Sequence, residues 1–189
     1  MAKRVDHAER RTEIAEALVR VAGRRGPHAV GMRDVAAEAG VSLRLVQYCF
    51  QTKEKLLLFG LELLTERFGE RVSARARAAG DSPGPRAMVE ALLMAAPPTD
   101  DESRTFHHLC TSYAVLAVND PALAAQPAQE AALLEPGVDV RLEAAGLLAM
   151  SAGLGTSILV GQRSPESATK VLEHHLNQVF RAGDASRCE

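Results

Sequence analysis

Apolar residues recur at three- and four-residue steps through most of this chain, which is the spacing of one face of an α-helix. Ile14 and Leu18 belong to such a stripe near the amino terminus, and Leu172 and Leu176 belong to another near the carboxyl terminus. Period-two alternation of β-branched and aromatic residues is sparse, so we expect little or no strand. The pattern therefore predicts an all-α protein of about nine helices.

Proline, glycine and N-capping residues mark where the predicted helices begin and end. Pro27 ends the first helix, and Ser82 followed by Pro83 indicates the start of the fifth. Residues 1–6 are expected to form a short basic tail ahead of the first helix. The predicted helices cover residues 7–26, 32–39, 42–49, 53–78, 83–95, 100–118, 140–161 and 165–182, with one or two brief helices at 122–126 and 128–134.

Two short helices joined by a glycine turn are predicted between residues 31 and 50. Gly40 ends the first, because glycine takes the left-handed backbone of a tight helix exit without steric cost, and Ser42 can cap the second. The second helix buries Val46, Cys49 and Phe50, and its outer face carries Leu43, Arg44, Gln47 and Tyr48. A polar and aromatic outer face on the second of two such helices is typical of a helix-turn-helix, which places that helix in a DNA major groove.

The same stretch resembles the amino-terminal DNA-binding region of the TetR family of bacterial transcriptional regulators. The matching residues are Asp34-Val35-Ala36, Ala39-Gly40-Val41-Ser42, an aromatic pair near the end of the second helix, Phe50, Thr52-Lys53-Glu54 and Leu56-Leu57. The resemblance covers roughly the first third of the chain. Gln47 and Cys49 depart from it, since family members usually carry Tyr at the first position and Tyr or His at the second.

The outer face of the second helix offers groups that bind base edges. Arg44 suits guanine O6 and N7, Gln47 suits adenine N6 and N7, and Tyr48 offers a hydroxyl to phosphate and a ring to a thymine methyl. Arg33 and Lys53 suit backbone phosphates, and the resemblance implies that role for Lys53. The predicted DNA-contact set is Arg33, Ser42, Leu43, Arg44, Leu45, Gln47, Tyr48, Thr52 and Lys53.

Some alternatives stay open in this region. The outer residues of the second helix could merely cover a three-helix bundle. Lys3 and Arg4 in the tail either touch DNA or remain solvated. The spacing of Cys49 from Val46 indicates a core residue, with a redox sensor as the alternative.

Charge is unevenly distributed along the chain. Residues 1–55 hold 11 Lys and Arg against 7 Asp and Glu, whereas residues 56–189 hold 11 against 17. A basic head on an acidic body fits one domain that meets phosphate and another that does not. We therefore divide the chain into a helix-turn-helix DNA-binding domain at 1–52 and an effector-binding and dimerisation domain at 53–189.

The number of cysteines and the hydropathy of the chain indicate the cellular compartment of the protein. The three cysteines are widely spaced and odd in number, so no disulfide framework is expected. No apolar run approaches 18 residues, and the charged amino terminus has no signal-peptide pattern. These features favour a cytoplasmic protein with no membrane partner.

One helix-turn-helix reads one half-site only, so a dimer is needed to span a turn or more of duplex. The resemblance implies that the last two long helices, 140–161 and 165–182, pack against their symmetry mates as a four-helix interface. Small residues such as Gly146, Ala149 and Gly153 suit that role. The alternative is that both helices complete the core of the monomer.

The resemblance also implies a small-molecule cavity among the middle helices. The candidate effector residues are Phe59, Leu63, Phe106, His107, Cys110 and Tyr113. Each could equally be plain core. His107 and His108 point about 100° apart on a helix and cannot easily share an ion, so neither a metal nor a cofactor is predicted.

Enzymatic chemistry finds little support. The chain lacks a Gly-x-Ser-x-Gly elbow, a Gly-rich phosphate loop ending in Lys-Ser or Lys-Thr, and a His-Glu-x-x-His pair. The leading hypothesis is a homodimeric repressor that a small-molecule effector releases from its operator. The alternative is a helical small-molecule-binding or -modifying protein with a vestigial DNA-binding head. Whether such a regulator represses or activates transcription depends on the position of its operator, which the protein sequence does not encode.

Overall fold

The computed structural model describes residues 2–80, 82–119 and 138–185, and every regular element in these ranges is a helix. The helices are α1 (Ala2–Arg25), α2 (Met32–Glu38), α3 (Leu43–Phe50), α4 (Lys53–Ala78), α5 (Pro85–Ala95), α6 (Asp101–Asn119), α7 (Val138–Leu159) and α8 (Pro165–Ala185), with a 3-10 turn at Pro27–Ala29. The predicted all-α class is therefore confirmed. The brief helices expected at 122–126 and 128–134 lie outside the described residues.

Two predicted helix starts are wrong. Helix α1 begins at Ala2 rather than at residue 7, because residues 2–6 contain no glycine or proline to stop a helix from extending toward the amino terminus. Helix α5 begins at Pro85, with Gly84 as an extended N-cap at φ −67° and ψ 170°. A residue before proline is pushed out of the helical region, so Ser82 and Pro83 precede the helix.

The first of two compact units comprises, among the described residues, 2–67 and 100–119. Its core joins α1, α2, α3, the first part of α4, and α6. Burying a large apolar side chain contributes about 1.5–3 kcal/mol each, so this shared core holds α3 firmly. Its most deeply buried large side chains are Ile14, Leu18, Val35, Val46, Phe50, Leu56 and Leu64.

A glycine lets α4 approach α1 closely inside this unit. A Cβ atom at Gly60 would lie 2.5 Å from Cδ2 of Leu18, which is itself fully buried. Farther along α4, the Arg67 guanidinium donates to Glu16 of α1 and, at 3.2 Å, to Glu102 of α6. Helices α1, α4 and α6 are thus joined by both close packing and half-exposed ion pairs.

The second unit comprises, among the described residues, 68–80, 82–99 and 138–185. Helix α5 packs against α7 and α8, and α7 packs against α8. Leu93, Leu147, Leu172 and Leu176 form the centre of that packing. Helix α4 continues from the first unit into the second, where Val72 and Ala76 pack on α5. The assignment of separate functions to residues 1–52 and 53–189 stays a prediction, because contact density does not report what each part binds.

Candidate nucleic-acid interface

The turn between α2 and α3 is formed by local hydrogen bonds. Gly40 adopts φ 65°, and the backbone N–H of Val41 donates to the Ala36 carbonyl at 3.0 Å, which closes α2 in a left-handed cap. The Ser42 hydroxyl oxygen then accepts from the Leu45 N–H at 3.2 Å and caps α3. Both features were predicted from the sequence, and both are confirmed.

Helix α3 has one buried and one exposed face. Val46, Cys49 and Phe50 are buried, as the spacing predicted. Arg44, Gln47 and Tyr48 are exposed, and Tyr48 keeps 70% of its surface accessible. The outward face therefore presents a guanidinium, an amide and a phenol together, on a helix whose other face is fixed in the core.

Two leucines of the predicted contact set are only partly available. Leu43 and Leu45 are half-buried and pack against the core of the first unit. Ser42 is exposed, although its hydroxyl oxygen already accepts the Leu45 N–H. The exposed parts of these side chains can still border a groove surface, but most of their packing is internal.

The acidic residues of α2 are neutralised by arginines of α1. Arg20 and Arg24 both donate to the Glu38 carboxylate, and Arg25 donates to Asp34 at 3.0 Å. Hydrogen bonds from Arg20, then from Arg24, lower the pKa of Glu38 from its ordinary 4.5. The ion pairs of Glu38 with Arg20 and Arg24 are therefore intact at neutral pH, and they are lost only as pH falls through the lowered pKa of Glu38.

Arg33 and Arg44 have a different environment from those three arginines. In the part of the chain that the structure describes, no ion pair involves either side chain. Both are exposed, so each cation is open to solvent. An uncompensated arginine on this surface is available to a phosphate or a base edge.

The start of α4 borders the same surface. The Thr52 hydroxyl oxygen accepts from the Lys55 N–H at 3.3 Å and so caps α4. The Lys53 ammonium lies 3.5 Å from the His28 carbonyl oxygen, to which it donates. Gln51 leaves α3 at φ 59°, a left-handed conformation uncommon for a residue other than glycine. A helix N-terminus that begins with a lysine is suited to an anion.

Two residues of α1 contact α3 and were not singled out from the sequence. The rings of His7 and Tyr48 lie 6.0 Å apart between centroids, at an interplanar angle of 78°. The Arg11 guanidinium lies 4.9 Å from the centroid of Phe50. Arg11 and His7 continue the apolar stripe of α1 toward the amino terminus at helical spacing, which is the only sequence signal that could have indicated them.

The six candidate effector residues all belong to α4 or α6 of the first unit. Phe59 is packed in the core, 5.5 Å from Phe50 between ring centroids, and Phe106 packs against the same core. The other four, Leu63, His107, Cys110 and Tyr113, are half-buried. Their role toward an effector stays a prediction.

Both described cysteines are free thiols. Burial raises the pKa of Cys49 and raises that of Cys110 to about 11. Thiols with raised pKa values stay protonated at neutral pH and are weak nucleophiles. This favours the core role predicted for Cys49 over a redox sensor.

The described ranges contain neither a metal-binding cluster nor a membrane-spanning helix. No three His, Cys, Asp or Glu residues there are grouped so that they could hold a metal ion. None of the helices described is both long enough and apolar enough to cross a bilayer.

The helix-turn-helix region matches a family of known proteins. Residues 14–58 fit the family model of bacterial regulatory proteins, tetR family. Over 72 residues the chain is 40% identical to the HTH-type transcriptional regulator PksA of Bacillus subtilis (strain 168). That match covers 38% of this chain and only 35% of the length of PksA.

Solved structures match over nearly the whole chain. A transcriptional regulator from Rhodococcus sp. Rha1 aligns with a TM-score of 0.74 and 26% identity, covering 91% of this chain and 96% of that one. The multidrug binding protein EbrR, in complex with ethidium, aligns with a TM-score of 0.64 and 29% identity, covering 88% and 98%. The matching helix-turn-helix and the matching helical body support the TetR family of bacterial transcriptional regulators, whose DNA-binding region residues 14–58 carry.

Proposed function

We propose that this chain is a homodimeric repressor that binds operator DNA through two copies of α3 and is released when a small molecule binds its body. The observation that carries the proposal is the outward face of α3. Arg44, Gln47 and Tyr48 are exposed there, while Val46 and Phe50 hold the opposite face in the core. A repressor of this kind works in the cytoplasm, where bacterial DNA lies.

The interface residues divide into base-reading and backbone-positioning groups. Arg44 and Gln47 suit bidentate contacts to guanine and adenine, and Tyr48 suits a thymine methyl or a phosphate. Arg33, Thr52 and Lys53 are placed on α2 and at the start of α4, where they flank α3 in the chain. We assign those three to phosphates, because backbone contacts fix the register in which the reading helix sits.

Binding to DNA is the direct test of this function. Duplexes are selected from a random pool on the full chain, and the dissociation constant of the selected duplex is measured against salt concentration. We expect the logarithm of the association constant to fall linearly with the logarithm of salt, with a slope of about −0.9 for each phosphate contact. If no sequence is enriched at any salt, the vestigial-head alternative is favoured instead.

The exposed side of α7 supports the dimer. Gly146, Ala149, Gly153 and Thr156 are all exposed, and their spacing places them on one face of the helix. Val160 extends that face and keeps 62% of its surface accessible. A Cβ atom at Gly146 or Gly153 would meet nothing within 4 Å. This small, partly apolar face leaves room for the close approach of a second copy, with α8 alongside.

Replacing Gly153 by leucine is expected to weaken the dimer without unfolding the chain. The single chain has space at this position, and leucine is a better helix former than glycine by roughly 1 kcal/mol. In a dimer with a close helix contact at this position, by contrast, the leucine would overpack that contact. The free energy of dimerisation would then be less favourable by about 1–3 kcal/mol for each copy. Light scattering after gel filtration gives the mass, and circular dichroism gives the helical content.

Gly69→Leu is the matched control for that experiment. Gly69 is also an exposed glycine inside a helix, α4, and a Cβ atom there would also meet nothing within 4 Å. This variant should keep the mass of the unmodified protein. If Gly153→Leu kept that mass too, at concentrations close to the dissociation constant of the dimer, α7 would not be the interface.

Effector release is proposed as a shift of population. EbrR shows that a structural relative of this chain binds ethidium. In this chain, Phe106, His107 and Tyr113 are half-buried on α6. Helix α6 packs directly on α1 within the first unit, which also contains the helix-turn-helix. A ligand that prefers one arrangement of α6 would shift operator affinity by its coupling free energy, typically about 1–3 kcal/mol.

A further inference from the structure

One face of α1 runs from the core of the first unit to its exposed surface beside α3. Leu18 and Ile14 are fully buried at one end of this face. Arg11, the next residue on the face, places its guanidinium 4.9 Å from the Phe50 ring centroid and 4.6 Å from that of Phe59. Arg11 therefore holds α1 against α3 at the point where this face of α1 becomes exposed.

His7 lies one turn beyond Arg11 on the same face. Its ring meets the ring of Tyr48 at 6.0 Å between centroids and 78° between planes, which is an edge-to-face arrangement. Both side chains are exposed, and Tyr48 belongs to the outward face of α3. The contact is therefore made on the surface assigned to DNA, not in the core.

We propose that His7 is a positioning residue that sets sequence selectivity by holding the Tyr48 ring in the orientation that enters the DNA groove. The inference rests on the proposed function, because it concerns the same DNA-binding surface. His7 reads no base itself. It limits the orientations of an exposed tyrosine before DNA arrives, so less conformational freedom is lost when the ring meets its base pair.

The expected size of the effect follows from the ring contact. Edge-to-face pairs and the immobilisation of one side chain each correspond to roughly a 2- to 10-fold change in affinity. The contact occurs once in each subunit, so the change is squared in a dimer, to roughly 4- to 100-fold. This change should fall on the selected duplex, since random duplex is bound mainly through phosphates.

Two substitutions at His7 separate positioning from direct contact with phosphate. For His7→Ala, the ratio of selected-duplex to random-duplex affinity should fall roughly 4- to 100-fold. Affinity for random duplex should stay within about twofold, because a lost phosphate contact would weaken both duplexes alike. His7→Phe should restore the ratio, since phenylalanine keeps the ring and has no N–H to donate.

The following DNA-binding results would overturn the proposal. An unchanged ratio in His7→Ala would show that Tyr48 needs no support. A loss in His7→Phe as large as that in His7→Ala would show that the imidazole N–H acts directly. Equal weakening of both duplexes would assign His7 to phosphate.

Tyrosine fluorescence provides a readout without DNA. The chain has no tryptophan and only two tyrosines, so Tyr113→Phe leaves Tyr48 as the sole emitter. In that background, His7→Ala should lower the fluorescence anisotropy of Tyr48, because the freed ring rotates faster; unchanged anisotropy would contradict the inference. If the unmodified protein selected no duplex, the proposed function would fail, while this measurement would still report on the His7–Tyr48 contact.

Discussion

Replacing Arg44 by alanine is expected to weaken binding to a selected duplex by about 2–6 kcal/mol per dimer. A bidentate arginine–guanine contact is worth about 1–3 kcal/mol of base discrimination, and each dimer makes it twice. Arg44 is exposed on α3 and has no ion-pair partner among the described residues, so its removal leaves no carboxylate uncompensated. Fluorescence polarisation of a labelled duplex, at one fixed salt concentration, measures the loss.

Arg75→Ala is the matched control for Arg44→Ala. Arg75 is also an exposed arginine on a helix, but it lies near the end of α4, in the second unit. The control removes the same charge and the same side chain, so it corrects for the general loss of attraction to DNA. If both variants lost affinity equally, the effect would be one of net charge, and α3 would not be the reading helix.

Replacing Phe50 by alanine is expected to lower the free energy of unfolding by about 3–5 kcal/mol. Phe50 is only 1% exposed, and it contacts the ring of Phe59 and the guanidinium of Arg11. Alanine would leave a cavity where α1, α3 and α4 meet. Domains of this kind are stable by roughly 5–15 kcal/mol, so the loss is a large share of the total. Urea unfolding, followed by circular dichroism at one protein concentration, gives the value.

Tyr48→Ala is the matched control on the same helix. Tyr48 lies two residues before Phe50 but is 70% exposed, so its removal should change the free energy of unfolding by no more than about 0.5 kcal/mol. It should nevertheless weaken binding to the selected duplex. Phe50→Ala should therefore lower the stability of the fold, whereas Tyr48→Ala should weaken DNA binding without that loss. Equal destabilisation by both substitutions would contradict the two-faced structure of α3.

The helix-turn-helix was predictable because its signals are local. The turn at Gly40 and the caps at Ser42 and Thr52 each depend on hydrogen bonds between residues at most five apart. The buried and exposed faces of α3 follow from helical periodicity alone. For the same reason, α4 was predicted with the bounds that the structure shows, Lys53–Ala78.

The two errors arose where local signals compete. Ser82 and Pro83 resemble a helix start, but Gly84 and Pro85 form a second start immediately after it, and α5 uses the later one. At the amino terminus, Asp6 and Glu9 have the spacing of a helix-capping pair, which indicates a start near residue 7, but the helix extends past them to Ala2. A cap contributes only about 1 kcal/mol, which is too little to decide between neighbouring starts.

The candidate effector residues show what helical spacing cannot resolve. Spacing predicted that Phe59 faces inward, and it does, but it packs on Phe50 and Arg11 in the core that supports α3. An apolar residue on a buried face looks the same in sequence whether it lines a cavity or fills a core. Its neighbours come from other helices, so only their packing distinguishes the two.

Periodicity, turn chemistry and charge were sufficient to predict an all-α chain with a basic helix-turn-helix and an exposed polar and aromatic face on α3, because each depends on residues close together in sequence. Packing alone decided which distant side chains meet. It joined Arg67 to Glu16, 51 positions apart, and it brought His7 of α1 against Tyr48 of α3. Helical spacing can indicate the face on which a residue lies but not the distant residue that it meets, since that depends on how helices cross and not on the spacing within any one of them.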